Sequence, residues 1–179
     1  SSCNDSTNRI MKLVSQNAAG KGPADVERVL KRYGPGIFQD TRIVEYIPKG
    51  GRTYRNLASA GDYHRFLEAM WLSKLPYADE MRDLLALNNR DRMVDGVATM
   101  PANVRVYDKT GSTAMLCGDM GIIVAPGELG GSYPYTFVAI IESPVRIKAY
   151  AAWMKRRGDA IRSVSDLVYQ DMKARHALA

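Results

Sequence analysis

The chain has 179 residues, 46% of them apolar and 25% charged, which is the composition of an ordinary folded domain with a sizeable core. Its formal charge of +6 would suit an anionic partner, yet the basic residues are scattered and the one run, Lys155-Arg156-Arg157, reads as a solvated helix face, so nucleic acid is not expected. Two cysteines, Cys3 and Cys117, and two histidines, His64 and His176, rule against a disulfide framework and a zinc-type cluster, and no apolar run approaches the roughly 18 residues of a membrane span. Neither a metal nor another cofactor is expected.

The stretch SSCNDSTNRI has no signal-peptide pattern and is uninformative about export. Asn4-Asp5-Ser6-Thr7 supplies N-cap chemistry, and Ile10, Met11, Leu13 and Val14 recur at helical spacing until Ala18-Ala19-Gly20. A second helix is predicted from about Pro23, carrying Val26, Val29 and Leu30 inward and ending at Tyr33-Gly34-Pro35-Gly36. Residues 37–60 show no sustained period and read as a long irregular loop, and loops of that length in compact domains are often functional. Helices are predicted again over 60–74 (Tyr63, Phe66, Leu67, Met70 and Trp71 inward) and 77–88 (Met81, Leu84, Leu85 and Leu87 inward), with a short one over 90–97.

After Met100-Pro101 the period becomes strand-like, in Val104-Arg-Val-Tyr107, Met120-Gly-Ile-Ile-Val124 and Tyr135-Thr-Phe-Val-Ala-Ile-Ile141, the first two forming an antiparallel hairpin. The tail from Ser143 reads as helical, broken or kinked at Arg157-Gly158, with Ile161, Val164, Leu167, Val168 and Met172 buried. The layout is α+β: a helical part over 1–100 and strands with a C-terminal helix over 101–179, merged into one unit.

Lys109-Thr110-Gly111 interrupts the first strand. By itself the triplet has a plain reading, an edge strand using lysine against aggregation and glycine for a bulge. Ser2-Cys3-Asn4, at the head of the first helix, likewise has a plain reading as capping chemistry. Together, Ser-x-Asn opening a helix and Lys-Thr-Gly on a strand about a hundred residues later resemble the penicillin-recognising serine hydrolases, especially the class A β-lactamase type.

The resemblance runs over nearly the whole chain and implies a β-lactamase/transpeptidase-like fold, with a helical cluster, an antiparallel sheet and a C-terminal helix. It implies that Ser2 relays a proton, Asn4 holds the substrate's acyl-amide group and Lys109 sets a positive field near Ser2 and the substrate carboxylate. Thr110 would bind that carboxylate, Gly111 would let substrate approach the strand, and the Ser112 N–H would serve the oxyanion hole. The implied substrates are β-lactams or peptidoglycan-type acyl-D-Ala peptides, and the implied location is periplasmic or secreted.

The sequence departs from that family in three places. No serine is followed three positions later by lysine, so the family's Ser-x-x-Lys nucleophile is absent and the chain is expected to be a C-terminal portion. It would then pair with the missing N-terminal segment or with another copy of itself through uncovered apolar surface. In the loop, Ile47 rather than glutamate precedes Pro48; Glu45, two positions earlier, is either a displaced base or a solvated loop carboxylate. Cys3 fills the middle of Ser-x-Asn and is expected to be a buried thiol, a bond to Cys117 being geometrically demanding.

Overall fold

A computed structural model of the chain describes residues 3–20, 22–49, 55–87 and 90–179. Helices α1 (Asn4–Asn17) and α2 (Pro23–Tyr33) pack together, and the irregular loop leads to α3 (Ala60–Trp71) and α4 (Ala78–Leu85). Strands β1 (Arg105–Ser112), β2 (Leu116–Pro126) and β3 (Ser132–Glu142) form an antiparallel sheet in the order β1-β2-β3, and α5 (Tyr150–His176) closes the chain.

The sheet lies between helices because successive side chains of the central strand point to opposite faces. Ile122 and Val124 pack with Leu67, Met70 and Ala78 of α3 and α4. Ile123 packs with Phe137, Met93, Trp153 and Ile161 on the other face, which α5 covers, and Ala125 with Tyr169 and Leu178. This explains why Gly121-Ile-Ile-Val-Ala125 reads as a continuous apolar run: β2 is buried on both faces. Gly121 is required by close approach, since a Cβ there would lie 2.6 Å from the Tyr107 carbonyl oxygen and 2.7 Å from Met93 Cε.

Several expectations are corrected. Residues 90–97 form no helix: the buried Asp91 carboxylate accepts the N–H groups of Met93, Val94 and Asp95 at 2.7, 2.6 and 3.0 Å and holds a turn that inserts Met93 into the core. Helix α5 starts at Tyr150 rather than Ser143, because Ser143 and Ile147 donate their N–H groups to Met115 and Ala114 of the β1–β2 turn. It also runs unbroken through Gly158, a residue whose cost of about 1 kcal/mol a long packed helix absorbs. A Cβ at Gly158 would lie 3.4 Å from Arg162 Nη1 and 3.8 Å from Arg92 Cδ, so the small residue leaves room for two arginines.

Val164 and Leu167 of α5, Leu84 of α4 and Leu87 just beyond it are exposed rather than inward. The inward face of α5 is carried instead by Ile161, Ser165 and Tyr169, spaced by four residues.

Candidate active site

Strand β1 pairs with β2 without interruption from Arg105↔Val124 to Ser112↔Cys117, so Gly111, opposite Gly118, marks no bulge. Nor does packing demand glycine at 111. A Cβ there would meet only Leu116 Cδ2, at 3.8 Å, an ordinary contact. The strand therefore keeps an open spot beside Lys109 and Thr110 that no neighbour in the described structure fills.

Lys109, Thr110 and Gly111 line one concavity of about 150 Å³, walled on the helical side by Tyr63 of α3. Lys109 is half-buried and donates from Nζ to the Thr110 carbonyl oxygen at 2.7 Å. Tyr63 also lines a second cavity, of about 390 Å³, bounded by Thr7 and Met11 of α1, Ile47 of the loop and Asn56. One aromatic side chain thus separates the Lys-Thr-Gly concavity from the space under the loop.

Asn4 is the first residue of α1 and is exposed. The helix is capped otherwise than expected. Cys3 stands at the N-cap in extended conformation, makes no side-chain cap bond, and its carbonyl oxygen accepts the Thr7 N–H and hydroxyl at 3.0 and 3.1 Å. Ser2 lies outside the described residues. Cys3 is exposed rather than buried, and both cysteines are free. The Ser6 hydroxyl donates to Cys3 Sγ at 3.2 Å and, as the largest cause, draws the thiol pKa down. Burial pushes the Cys117 thiol up.

The loop is fastened at three points. The carboxylate of Asp62, 1% exposed in the first turn of α3, accepts the Gln39 and Asp40 N–H groups, the Thr41 hydroxyl at 2.6 Å and a guanidinium N–H of Arg65. Burial pushes Asp62 up, but these donors outweigh it and the pKa is lowered. Glu27 of α2 accepts the Ile43 N–H at 2.9 Å and pairs with Lys31, whose hydrogen bond leads in lowering its pKa. Asn8 of α1 grips Ile47, donating to its carbonyl oxygen at 2.9 Å and accepting its N–H at 2.8 Å.

Asn56 closes the neck by accepting the Val44 and Glu45 N–H groups and donating to the Glu45 carbonyl oxygen. Glu45 turns its carboxylate to the Arg55 N–H and side chain. Of the two loop residues weighed from sequence, Ile47 is the one fixed against α1, and Glu45 is occupied within the loop.

Residues that sequence reasoning passed over hold the strand. The Arg92 guanidinium donates to the carbonyl oxygens of Gly111 and Gly118 at 3.1 and 2.5 Å and to Ser112 Oγ at 2.8 Å. The Arg92 N–H donates to Asp119 Oδ2 at 2.7 Å. A carboxylate inside an otherwise apolar strand was the available signal for Asp119; nothing local marked Arg92. Among the described residues no His/Cys/Asp/Glu group is arranged to hold a metal ion.

This is the β-lactamase/transpeptidase-like α+β fold, as solved structures show. The chain aligns with PBP-A at 20% identity and a TM-score of 0.63, covering 86% of this chain and 52% of that one. It aligns with the β-lactamase of Sphaerobacter thermophilus at 21% identity and a TM-score of 0.64, covering 96% and 57%, and with the TLA-3 extended-spectrum β-lactamase at 17% and 0.60, covering 84% and 55%. No curated relative matches. The profile of the "Beta-lactamase enzyme family" matches residues 4–172, and the chain belongs to that family. It spans between 52% and 57% of the length of these structural relatives.

Proposed function

We propose that the chain forms one side of the active-site cleft of a serine hydrolase that opens β-lactam or acyl-D-Ala-type amide bonds through an acyl-enzyme. The observation that carries this reading is the Lys109-Thr110-Gly111 concavity on an unbulged edge strand, with an open position at Gly111. Lys109 and Thr110 would hold the substrate carboxylate, Gly111 would admit the substrate against the strand, and the Ser112 N–H would donate to the oxyanion. Asn4 would bind the acyl-amide group and Ser2 would relay the proton to the leaving nitrogen. The nucleophile would come from a segment outside these residues, and the protein would act in the periplasm or outside the cell.

Supporting that partnership, β3 is an edge strand of the sheet and carries the exposed apolar residues Tyr133 and Ile140. The occupant would be a segment of the full protein outside these residues or another copy of the chain. Light scattering tests this: a monodisperse monomer that binds no dye for exposed apolar surface would sink it.

Labelling of the full protein with a fluorescent penicillin tests the catalytic reading. Lys109→Ala should lower the acylation rate by about 100-fold, in the range of losing one preorganised electrostatic contact. Labelling and hydrolysis that Lys109→Ala leaves unchanged would remove Lys109 from the site; a full protein that is neither labelled nor hydrolytic would favour a non-catalytic envelope-binding relative.

A second reading, a peptidoglycan D,D-peptidase or transpeptidase, is favoured by the loop. Ile47 precedes Pro48 and is clamped by Asn8, while Glu45 is engaged by Arg55 rather than presented as a base for deacylating water. An acyl-enzyme would then persist. Nitrocefin should give a burst followed by a stall; rapid repeated turnover would support a lactamase with Glu45 as its base.

A further inference from the structure

Asp119 is the one charged residue of β2, and at 2% exposure it is buried in the central strand. Its register partner is Thr110, so the two side chains share a face of the sheet, one residue away from Lys109 and Gly111. Oδ2 accepts the Arg92 N–H at 2.7 Å. From that anchored backbone the Arg92 side chain reaches the end of β1, where its guanidinium ties the Gly111 carbonyl oxygen and the Ser112 hydroxyl to the Gly118 carbonyl oxygen of β2. Arg92 Cγ and Cδ lie alongside Gly158 of α5. The arginine is thereby fixed at its backbone, along its stem and at its head.

We infer that Asp119 is a positioning residue: by holding the Arg92 backbone it aims the guanidinium that sets the substrate-facing end of β1, from Thr110 to Ser112. The inference rests on the proposed function for its catalytic consequence, although the chain of hydrogen bonds stands without it. A plain packing role does not account for Asp119, because its Oδ1 is buried with no hydrogen-bond partner among the described residues. A carboxylate left half-satisfied is a destabilising choice for a core strand, and such choices persist where geometry is being held for another purpose.

The positioning is sensitive to protonation. Burial, first, pushes the Asp119 pKa up to about 7, the negative charges of Asp108 and Asp91 add to the rise, and the Arg92 N–H and guanidinium oppose it. The groups around it are Asp108 of β1, Cys117 of β2, Asp91 and Arg92 of the preceding turn, and Arg157 and Arg162 of α5, whose fields reach Cys117. Ionised Asp119 is a strong acceptor for the Arg92 N–H. Protonation removes the charge that strengthens that acceptor. The grip on Arg92 should therefore loosen as pH falls through about 7.

The test measures, on the full protein, the second-order rate of acylation by a fluorescent penicillin from pH 5.5 to 8.5, together with the amide NMR shifts of Gly111, Ser112 and Gly118. In the wild type both should titrate together near pH 7. Asp119→Asn keeps an acceptor oxygen and removes the ionisation, so it should hold within about 3-fold of wild type at pH 8 and lose the titration in both readouts. Asp119→Ala should cost about 10-fold at pH 8, the size of one lost charge-assisted hydrogen bond, with the circular dichroism spectrum checking that the variant folds. An Asp119→Asn protein whose acylation and amide shifts still titrate as in wild type overturns the inference. Amide titration that Asp119→Asn abolishes, in a protein that no penicillin acylates, supports the positioning role and refutes the proposed function instead.

Discussion

Asp62 and Asp119 are buried to the same degree, 1% and 2% exposed, yet their acidities move in opposite directions. Asp62 sits at the head of α3 and collects two backbone N–H groups, a hydroxyl and an arginine, so both of its oxygens are satisfied. Asp119 sits mid-strand in the sheet, where the backbone donors belong to the ladder, and collects one N–H from Arg92. Burial pushes both carboxylates up; at Asp62 four donors outweigh it, whereas at Asp119 the one N–H does not and the charges of Asp108 and Asp91 add to the rise. The difference separates two regions. The loop over 37–49 is irregular but fastened at three points, whereas the sheet end is regular yet leans on one underpaired acid.

The strongest way to break the comparison is to remove the better-satisfied member. Asp62→Ala strands the Gln39 and Asp40 N–H groups, the Thr41 hydroxyl and the Arg65 guanidinium together, and should cost about 3 kcal/mol in urea unfolding. Loss of amide-exchange protection should concentrate at 39–41. A loss below about 1 kcal/mol would show that the loop does not depend on this carboxylate.

The opposite sign is expected at the sheet. A carboxylate whose folded pKa is raised binds its proton more tightly folded than unfolded, so stability falls as pH rises from about 4, the unfolded value, to about 7. Asp119→Asn should thus melt higher than wild type at pH 8, by on the order of 2 kcal/mol, and match it near pH 4. Asp62, with its pKa lowered, contributes stability that is present above about pH 4 and lost as pH falls further. The acid limb should survive in Asp119→Asn and shrink in Asp62→Asn, Glu27 keeping a part of it, and thermal melts across pH 2–8 would show whether the two limbs separate.

Two smaller changes sharpen the contrast between a fastened loop and an open strand. Asn8→Ala removes both hydrogen bonds to Ile47 and should cost about 1 kcal/mol, with faster exchange of the Ile47 amide as the local signature. Gly111→Ala should change stability by no more than about 0.5 kcal/mol, because its Cβ meets only Leu116 at 3.8 Å, while acylation by a bulky penicillin drops. A large loss of stability from Gly111→Ala would return the glycine to a structural role.

The helices at both ends of the chain, the three strands and the irregular loop were legible because each rests on a local pattern. Pro23 sets a helix start, Gly34-Pro35-Gly36 marks a stop, and Ile122-Ile123-Val124 reads as a strand. The short helix expected over 90–97 failed for a physical reason: Asp91 offered its own carboxylate to the N–H groups that a helix would have satisfied within its backbone. The break expected at Gly158 failed because packing against Arg92 and Arg162 outweighs a glycine's weak propensity. Val164 and Leu167 were expected inside because they are apolar, but the four-residue spacing of Ile161, Ser165 and Tyr169 had already claimed the inner face of α5.

By itself the sequence determined the order of the long helices and strands, the placing of Lys109-Thr110-Gly111 on a strand and the family to which the chain belongs, since these depend on residue types in local patterns. Only the tertiary structure decided that Ile47 rather than Glu45 is held against α1, that Cys3 is exposed, and that Arg92 binds the end of the Lys-Thr-Gly strand under the control of Asp119. Those partners lie between 19 and 39 positions apart, and a sequence carries no local signal for which distant donor a buried oxygen will find.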